Sequence, residues 1–198
     1  MSMTEMGPGS SQPTPVSIAD PGPLGLAGFA MTTFMLSLVN AQVISGASSA
    51  DFLGLALIYG GAAQLFAGMW EFRKGNTFGA VAFSSYGAFW IAVYVQVKFF
   101  PGSTAGIGWS YFLLAWTIFT FYMWIGSFKT TGAVFMVFLA LTTTFAILCA
   151  GSFKASSSIT QAGGDCGIAT AILAWYASFA VVVNSTFKRT VIPVFPLT

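Results

Sequence analysis

Hydroxyl side chains interrupt an apolar run in the segment GNTFGAVAFSSYGAFW, residues 75–90. Ser84, Ser85 and Tyr86 stand in its middle, where a buried or membrane-spanning segment favours hydrocarbon side chains. A hydroxyl is a neutral hydrogen-bond donor and acceptor, and it is a weak nucleophile unless a neighbouring base activates it. The chemistry open to these three residues is therefore either recognition of a polar solute or hydrogen bonding to another helix.

The residues that most catalytic and metal sites need are missing from the sequence. The chain has no histidine, which excludes a nucleophile–histidine pair and a histidine-liganded metal ion. It has no glycine-rich phosphate loop of the Walker type, and no charged residue lies at the centre of a long apolar run. The net charge of +2 is small and scattered, so a nucleic-acid partner is not expected. We therefore expect no enzyme activity, no cofactor and no metal ion.

The composition is that of a membrane protein. Hydrophobic residues make up 56% of the 198 residues and charged residues only 6%, with a mean hydropathy of +0.81, whereas a soluble domain has roughly 25% charged residues. A helix needs about 20 apolar residues to cross about 30 Å of hydrocarbon. The runs between charged residues predict six such spans, at about 24–44, 52–71, 78–98, 107–127, 131–151 and 167–187. The alternating pattern of a membrane β-barrel is absent from these runs. The predicted fold class is an all-α integral membrane protein with six transmembrane helices per protomer.

The segments outside the spans predict the domain limits and the orientation. Residues 1–22 are rich in Pro, Ser and Gly and predict a disordered N-terminal tail; residues 23–190 form the six-helix domain and residues 191–198 a short C-terminal tail. With both termini in the cytoplasm, the basic residues follow the positive-inside rule, because the inner loops hold Arg73, Lys74, Lys129, Lys188 and Arg189 and the outer loops only Lys98 and Lys154. We expect no targeting segment, which favours a bacterial inner membrane.

Polar side chains on several spans are candidates for contacts with a solute. They should face the bundle interior, because a hydroxyl or amide that faces lipid lacks a partner. Hydrogen bonding between helices, or back to the same helix, is the alternative use. The amides are the costliest to bury, and together with two hydroxyls they form the candidate substrate-binding set: Asn40, Gln64, Thr32 and Ser85.

The second span carries two further features. Small residues recur every four positions from Ala56 to Gly68, on the stripe that holds Gln64, and they either pack closely on a neighbouring helix or leave room for a solute. Glu71, near the end of this span, is the acidic residue nearest to the middle of the membrane. Its expected role is an interfacial ion pair with Arg73 or Lys74, and proton transfer is the alternative.

The two cysteines of the chain, Cys149 and Cys166, flank one predicted outer loop. A disulfide between them is one interpretation. Two small residues at helix ends, each packed separately, is the favoured one.

Three blocks of the sequence resemble a known family. The block PGPLGLAGFAMTTF (21–34) is similar to the Asn-Pro-Ala-Pro-Leu-Gly-Leu signature of the acetate uptake transporter family, GPR1/FUN34/YaaH. IYGGAAQLFAGMWEFRKGNTFGAVAFSSYGAFW (58–90) resembles its second and third helices, and FKRTVIPVFP (187–196) its C-terminal end, so that the resemblance covers about residues 20–195. The signature departs from the family at two positions, since Asp20 replaces Asn and Gly22 replaces Ala. Helix-start chemistry is kept, because Asp is also a capping residue.

The resemblance implies a six-helix protomer in a lipid bilayer that assembles as a homo-hexamer, with one pathway through each protomer. It implies uptake of acetate and related small carboxylates, with succinate as a candidate, by proton-coupled symport or by channel-like permeation. It also implies a constriction formed by Phe29, Tyr86 and Leu141 and a residue, Ala174, that tunes solute size. In this interpretation the Tyr86 ring narrows the pathway and its hydroxyl bonds a carboxylate.

Two other classes of function fit the same six-helix pattern. One is a channel for small neutral solutes such as urea or ammonia, because the polar residues of the spans are uncharged. The other is a membrane sensor or structural protein that conducts no solute. Competition between labelled acetate and urea, and flux into liposomes, separate these classes from a carboxylate transporter.

Overall fold

Over residues 18–45 and 49–197, the computed structural model of the chain is a bundle of six long helices. They are α1 (Gly22–Asn40); α2, which runs as Ser49–Leu57, a π-helical turn at Ile58–Ala63, and Gln64–Lys74; α3 (Thr77–Phe99); α4 (Ile107–Ser127); α5 (Gly132–Phe153); and α6 (Ser157–Phe187). Five of them are long and apolar enough to cross a membrane, and α4 is equally long but rich in Trp and Tyr, which lower its mean hydropathy. The predicted all-α membrane fold is confirmed.

The helices pack in a closed ring. Each helix contacts the next one along the chain, and α6 returns to pack along α1. The backbones of α3 and α4 approach at few points, and aromatic side chains fill the space between them: the ring of Phe89 on α3 lies 4.9 Å from that of Trp116 on α4, centroid to centroid. The starts of α1, α3 and α5 therefore lie at one end of the bundle, which we call the signature end, and the starts of α2, α4 and α6 lie at the other, which we call the open end.

A tight turn joins α2 to α3 at the signature end. Gly75 ends α2 in the left-handed conformation, with φ of 81°, which glycine adopts without the strain of a Cβ. Asn76 then caps α3, because its side-chain oxygen accepts the N–H of Gly79 at 3.2 Å. Next to this turn, the Lys74 ammonium lies 2.8 Å from the carboxylate of Asp20, which also accepts the N–H of Gly22 at 3.0 Å. Asp20, which replaces the Asn of the family signature, thus keeps a hydrogen bond to the start of α1.

The last helix begins ten residues before the predicted span, at Ser157 instead of residue 167. The predicted limit came from the charge of Asp165, which is exposed on the helix. The glycines of that segment lie where neighbouring helices approach closely. A Cβ on Gly164 would clash with the backbone of Ala41 at the end of α1, and one on Gly163 would lie 2.6 Å from Leu148 on α5.

The segment after α6 folds back against the signature end. The Tyr176 hydroxyl donates to the carbonyl of Pro193 at 2.6 Å, and the Asn184 side chain accepts the N–H of Ile192 at 2.9 Å. Further along, the carbonyl of Phe195 accepts the N–H of Gly132 at 2.6 Å, and an isolated bridge pairs Thr131 with Pro196. Residues 190–197, the C-terminal strap, therefore cover the first turn of α5.

The predicted N-terminal tail falls largely outside the described residues, since residues 1–17 of it are not among them. Its last residue, Gly22, is the first residue of α1.

Candidate solute pathway

The three residues of the expected constriction line one small cavity inside the bundle. Phe29 on α1, Tyr86 on α3 and Leu141 on α5 approach it from three helices, and the Phe29 and Tyr86 ring centroids are 5.7 Å apart. The volume of the cavity is about 20 Å³, which is room for one water molecule. Its other lining residues are Leu26, Gln64, Ala82, Phe83, Val137 and Phe138, and no polar atom is exposed on its wall. The bundle is therefore closed by hydrocarbon at this level.

The hydroxyl of Tyr86 is turned away from this cavity and bonded to α4. It lies 2.9 Å from the hydroxyl of Thr120, and that hydroxyl donates to the carbonyl of Trp116 at 2.7 Å. A carbonyl only accepts, so the single hydrogen of Thr120 is used and Tyr86 donates to Thr120. The prediction that this hydroxyl bonds a carboxylate therefore differs from the structure, because its one hydrogen is already engaged. No pattern in the sequence indicates the contact between Tyr86 and Thr120.

Gln64 borders the same cavity, and part of its side chain has no hydrogen-bond partner within the described part of the chain. It is 1% exposed, and its side-chain oxygen is buried without a hydrogen-bond partner among the described residues. Gln64 comes directly after the π-helical turn Ile58–Ala63, which inserts an extra residue and rotates the helix that follows; such turns are frequent at functional sites. Gly28 of α1 packs against this turn, where a Cβ would lie 3.2 Å from the carbonyl carbon of Tyr59.

A much larger cavity lies at the open end of the bundle. Its volume is about 530 Å³, and Asn40, the other candidate amide, is one of its lining residues. The remaining polar residues on its wall come from the loops and helix ends: Thr104, Ser152, Ser156, Ser157 and Thr160. Phe89 and Phe145 form part of its apolar wall, and their ring centroids are 5.5 Å apart.

The two cavities lie in line along the bundle axis. Phe89 of the large cavity is three residues after Tyr86 on α3, and Phe145 is four residues after Leu141 on α5. Each step is about one helical turn, or 5.4 Å. A wide, polar-edged vestibule therefore leads to a narrow apolar closure, with two Phe residues between them that sequence reasoning did not select. Among the described residues, neither cavity has a charged residue in its lining.

Three candidate residues are placed elsewhere. Thr32 donates its hydroxyl to the carbonyl of Gly28 at 2.9 Å and packs against Gly60, so it serves the contact between α1 and α2. Ser85 is half-buried and Ala174 is fully buried, and neither is among the residues that line the two cavities. The alternative of helix–helix packing thus describes Thr32 better than solute contact.

Glu71 does not form the expected interfacial ion pair. It is 1% exposed, and its carboxylate accepts the side-chain N–H of Asn76 at 2.9 Å, because the turn at Gly75 brings Asn76 back over the end of α2. Lys74 pairs with Asp20 instead, and no ion pair of Glu71 is formed among residues 18–45 and 49–197. Gly79, in the first turn of α3, packs directly on the carboxyl group, since a Cβ there would lie 2.9 Å from its carbon. A buried carboxylate therefore faces a helix N-terminus, where its charge is favourable.

The cysteines are both free. Cys149 is buried beside the carbonyl of Ser110, at 3.7 Å, and Cys166 is beside the carbonyl of Ala140, at 3.6 Å. The disulfide interpretation is not realised in this structure, and each thiol packs separately at a helix contact.

Comparison with known proteins agrees with the fold. Residues 3–198 match the GPR1/FUN34/yaaH family. The chain is 38% identical over 182 residues to the succinate-acetate/proton symporter SatP of Escherichia coli (strain K12), which covers 89% of this chain and 95% of that protein. It is 38% identical over 178 residues to ammonia transport outward protein 2 of Saccharomyces cerevisiae, with 85% of this chain but only 63% of the yeast protein covered. The solved structure of the bacterial acetate channel SatP matches with a TM-score of 0.84 at 36% identity, over 90% of this chain and 99% of that chain.

Proposed function

The chain belongs to the GPR1/FUN34/yaaH family, and on that basis we propose that it transports acetate and related small carboxylates across a membrane, with succinate as a further candidate. The relatives that carry the names of a succinate-acetate/proton symporter and an acetate channel support this substrate class. Those two names also describe the two mechanisms that remain: movement together with a proton, or channel-like permeation.

The observation that carries the proposal is the alignment of the open-end cavity with the closure at Phe29, Tyr86 and Leu141. A solute that enters the vestibule meets Asn40 and several hydroxyls first, and then the apolar closure one turn deeper. Acetate suits this order, because its carboxyl group can bond the polar wall while its methyl group enters hydrocarbon. A larger acid would meet the three side chains of the closure before its polar group had passed.

The absence of charge from the lining of these two cavities also supports a transport role. A fixed Arg would bind a carboxylate through two charge-assisted hydrogen bonds and slow its release. Neutral partners bind weakly enough for the solute to leave again, which conduction requires.

Uptake of labelled acetate into liposomes that contain the purified protein tests the proposal. We expect an initial rate above that of empty liposomes, and we expect Tyr86→Ala to raise succinate uptake relative to acetate by opening the closure. Tyr111→Ala is the matched control, because Tyr111 lies on the outer face of α4 and is 60% exposed. A folded preparation with no acetate flux above empty liposomes would contradict carboxylate transport and leave the neutral-solute channel and the sensor or structural role.

Conduction of a small neutral solute is the second candidate, and two observations favour it. The lining of both cavities is uncharged, and a yeast relative carries the name of an ammonia transport outward protein. The same liposomes, loaded with a pH-sensitive dye, separate the candidates, because entry of ammonia makes the interior alkaline whereas entry of acetic acid makes it acidic.

We also propose that six copies assemble in a bacterial inner membrane with both termini in the cytoplasm. The outer faces of the helices carry many exposed large apolar side chains, among them Phe66, Ile118 and Phe179, which suit contact with lipid or with a neighbouring copy. Measuring the mass of the purified complex after subtraction of bound detergent would distinguish a hexamer from a monomer.

A further inference from the structure

The buried side-chain oxygen of Gln64 is a hydrogen-bond acceptor that has no donor in the part of the chain that the structure describes. A buried acceptor loses its hydrogen bonds to water, and without a new partner it destabilises a protein by about 1–3 kcal/mol. A group of this kind in a native structure therefore calls for an explanation. Here the unpaired group borders the narrowest part of the pathway. A solute that carries a donor would supply the missing hydrogen bond.

The primary amide of Gln64 has an acceptor and a donor side by side. A carboxylate ion offers acceptors alone, so it could bond the amide N–H but would face the amide oxygen with a second negative oxygen. A protonated carboxylic acid has an O–H donor beside a carbonyl acceptor, and it can pair with the amide through two parallel hydrogen bonds. We propose that Gln64 binds the neutral, protonated form of the acid. This inference rests on the proposed function and specifies the form of the substrate.

The surroundings of Gln64 agree with a neutral ligand. The other residues that line the small cavity are apolar apart from Tyr86, and the Tyr86 hydroxyl has already donated its hydrogen to Thr120. An ion would be left here without a compensating charge, which is expensive in a low-dielectric interior. A neutral acid gives up much less hydration on entry.

The cavity must widen for this pairing. It has room for one water molecule, whereas acetic acid has four heavy atoms, and the amide is covered in the closed state. The movable walls are the rings of Phe29 and Phe83, since the Tyr86 ring is held by its hydroxyl and packs on Trp116 and Phe119 with centroids 5.8 and 5.4 Å away.

The proton then moves as part of the substrate. The carboxylate takes up one proton from water on the side where it enters, crosses as the acid, and releases that proton on the other side. One proton is carried for each acid molecule, and no side chain of the pathway has to titrate.

Competition against labelled acetate uptake in liposomes tests the inference. Acetamide, which is neutral and has a donor beside an acceptor, should inhibit uptake by the wild-type protein. Methanesulfonate, an anion of similar shape that stays ionised at the assay pH, should not. Gln64→Met, which removes both hydrogen-bonding groups, should slow acetate uptake by about tenfold and abolish inhibition by acetamide. Gln161→Leu is the matched control, because Gln161 is exposed on α6.

A second variant covers the case in which Gln64→Met fails to fold. Gln64→Glu keeps the size of the side chain, and it pairs with the acid only while it is protonated, so its uptake should fall more steeply with rising pH than that of the wild-type protein. Inhibition by methanesulfonate but not by acetamide would overturn the inference and leave carboxylate transport standing. Absence of acetate uptake by the wild-type protein would overturn the proposed function itself.

Discussion

Tyr86 and Thr120 join α3 to α4 through a buried hydrogen bond of 2.9 Å between their hydroxyls, at the level where the pathway is closed. The backbones of these two helices approach at few points, so this bond and the aromatic rings around it determine where the Tyr86 ring stands. The hydroxyl of Tyr86 accordingly has a positioning role, and the ring itself forms the barrier.

Removing each hydroxyl in turn should have unequal effects on stability. Thr120→Val leaves the buried Tyr86 donor unpaired and should lower the free energy of unfolding by about 1–3 kcal/mol. Tyr86→Phe leaves Thr120 bonded to the carbonyl of Trp116 and should cost only about 0.5–1.5 kcal/mol. Thermal unfolding in detergent gives the order of the two variants, and equal or reversed losses would contradict the assigned donor direction.

The Tyr86→Phe variant also separates two possible roles of the Tyr86 hydroxyl, positioning of the ring and binding of the substrate. Tyr86→Phe keeps the ring that closes the pathway, so acetate uptake should stay within about twofold of the wild-type rate once the amount of folded protein is equal. A folded Tyr86→Phe protein without uptake would show that the hydroxyl contacts the substrate after all.

Leu141→Ala should widen the closure and broaden the substrate range. Leu141 is 4% exposed, and truncation of a buried Leu destabilises by about 2–5 kcal/mol, so the thermal midpoint should fall. Uptake of propionate and butyrate relative to acetate should rise, as measured with labelled acids. Leu114→Ala on the outer part of α4, where the side chain is 37% exposed, should leave this ratio unchanged.

Glu71→Gln distinguishes a structural carboxylate from a proton carrier. The buried carboxyl group faces the first turn of α3 and is bonded to Asn76. The helix N-terminus favours a negative charge by about 0.3–2 kcal/mol and burial opposes it, so Glu71→Gln should lower the free energy of unfolding by at most about 2 kcal/mol. If the proton crosses on the acid, the dependence of acetate uptake on a pH gradient should be unchanged. Loss of that dependence, with acetate uptake retained, would assign proton transfer to Glu71. Asp165→Asn, at an exposed carboxylate, is the control.

Two glycines of α2 should respond in opposite ways to alanine. A Cβ on Gly68 would lie 2.5 Å from the backbone nitrogen of Ser84 on α3, whereas one on Gly54 would have no neighbour within 4 Å among residues 18–45 and 49–197. Gly68→Ala should therefore destabilise by about 1–3 kcal/mol through overpacking. Gly54→Ala should be neutral or stabilise by about 0.5–1 kcal/mol through helix propensity. Parallel thermal unfolding of the two variants checks the pair.

The fold could be predicted from the sequence because the hydrocarbon thickness of a membrane sets the length of an apolar run. The last helix was the exception. The charge of Asp165 set the predicted start of this helix, but the helix continues through it, and Gly164 packs on the backbone of Ala41. Whether a charged residue ends a helix or lies on its exposed face is decided by contacts between distant segments.

The candidate site could be predicted only in part. Gln64 was selected because burying an amide costs free energy. That argument holds whichever side of the helix the amide lies on. Thr32 and Ser85 lie outside the lining of the two cavities, which the sequence could not show, because in helices that are apolar all round no pattern indicates which side a hydroxyl faces. The π-helical turn before Gln64 also changes the side of α2 on which every later side chain lies. No sequence pattern predicted this turn.

The C-terminal strap has a consequence for biosynthesis. The N–H groups of Gly132 and Ala133 in the first turn of α5 are bonded to the carbonyls of Phe195 and Val194, which the ribosome adds about sixty residues later. The start of α5 therefore enters the membrane with these groups unpaired and acquires its partners only when α6 has been inserted behind it. A released chain truncated after residue 190 should hold all six helices and yet exchange the amide hydrogens of Gly132 and Ala133 rapidly.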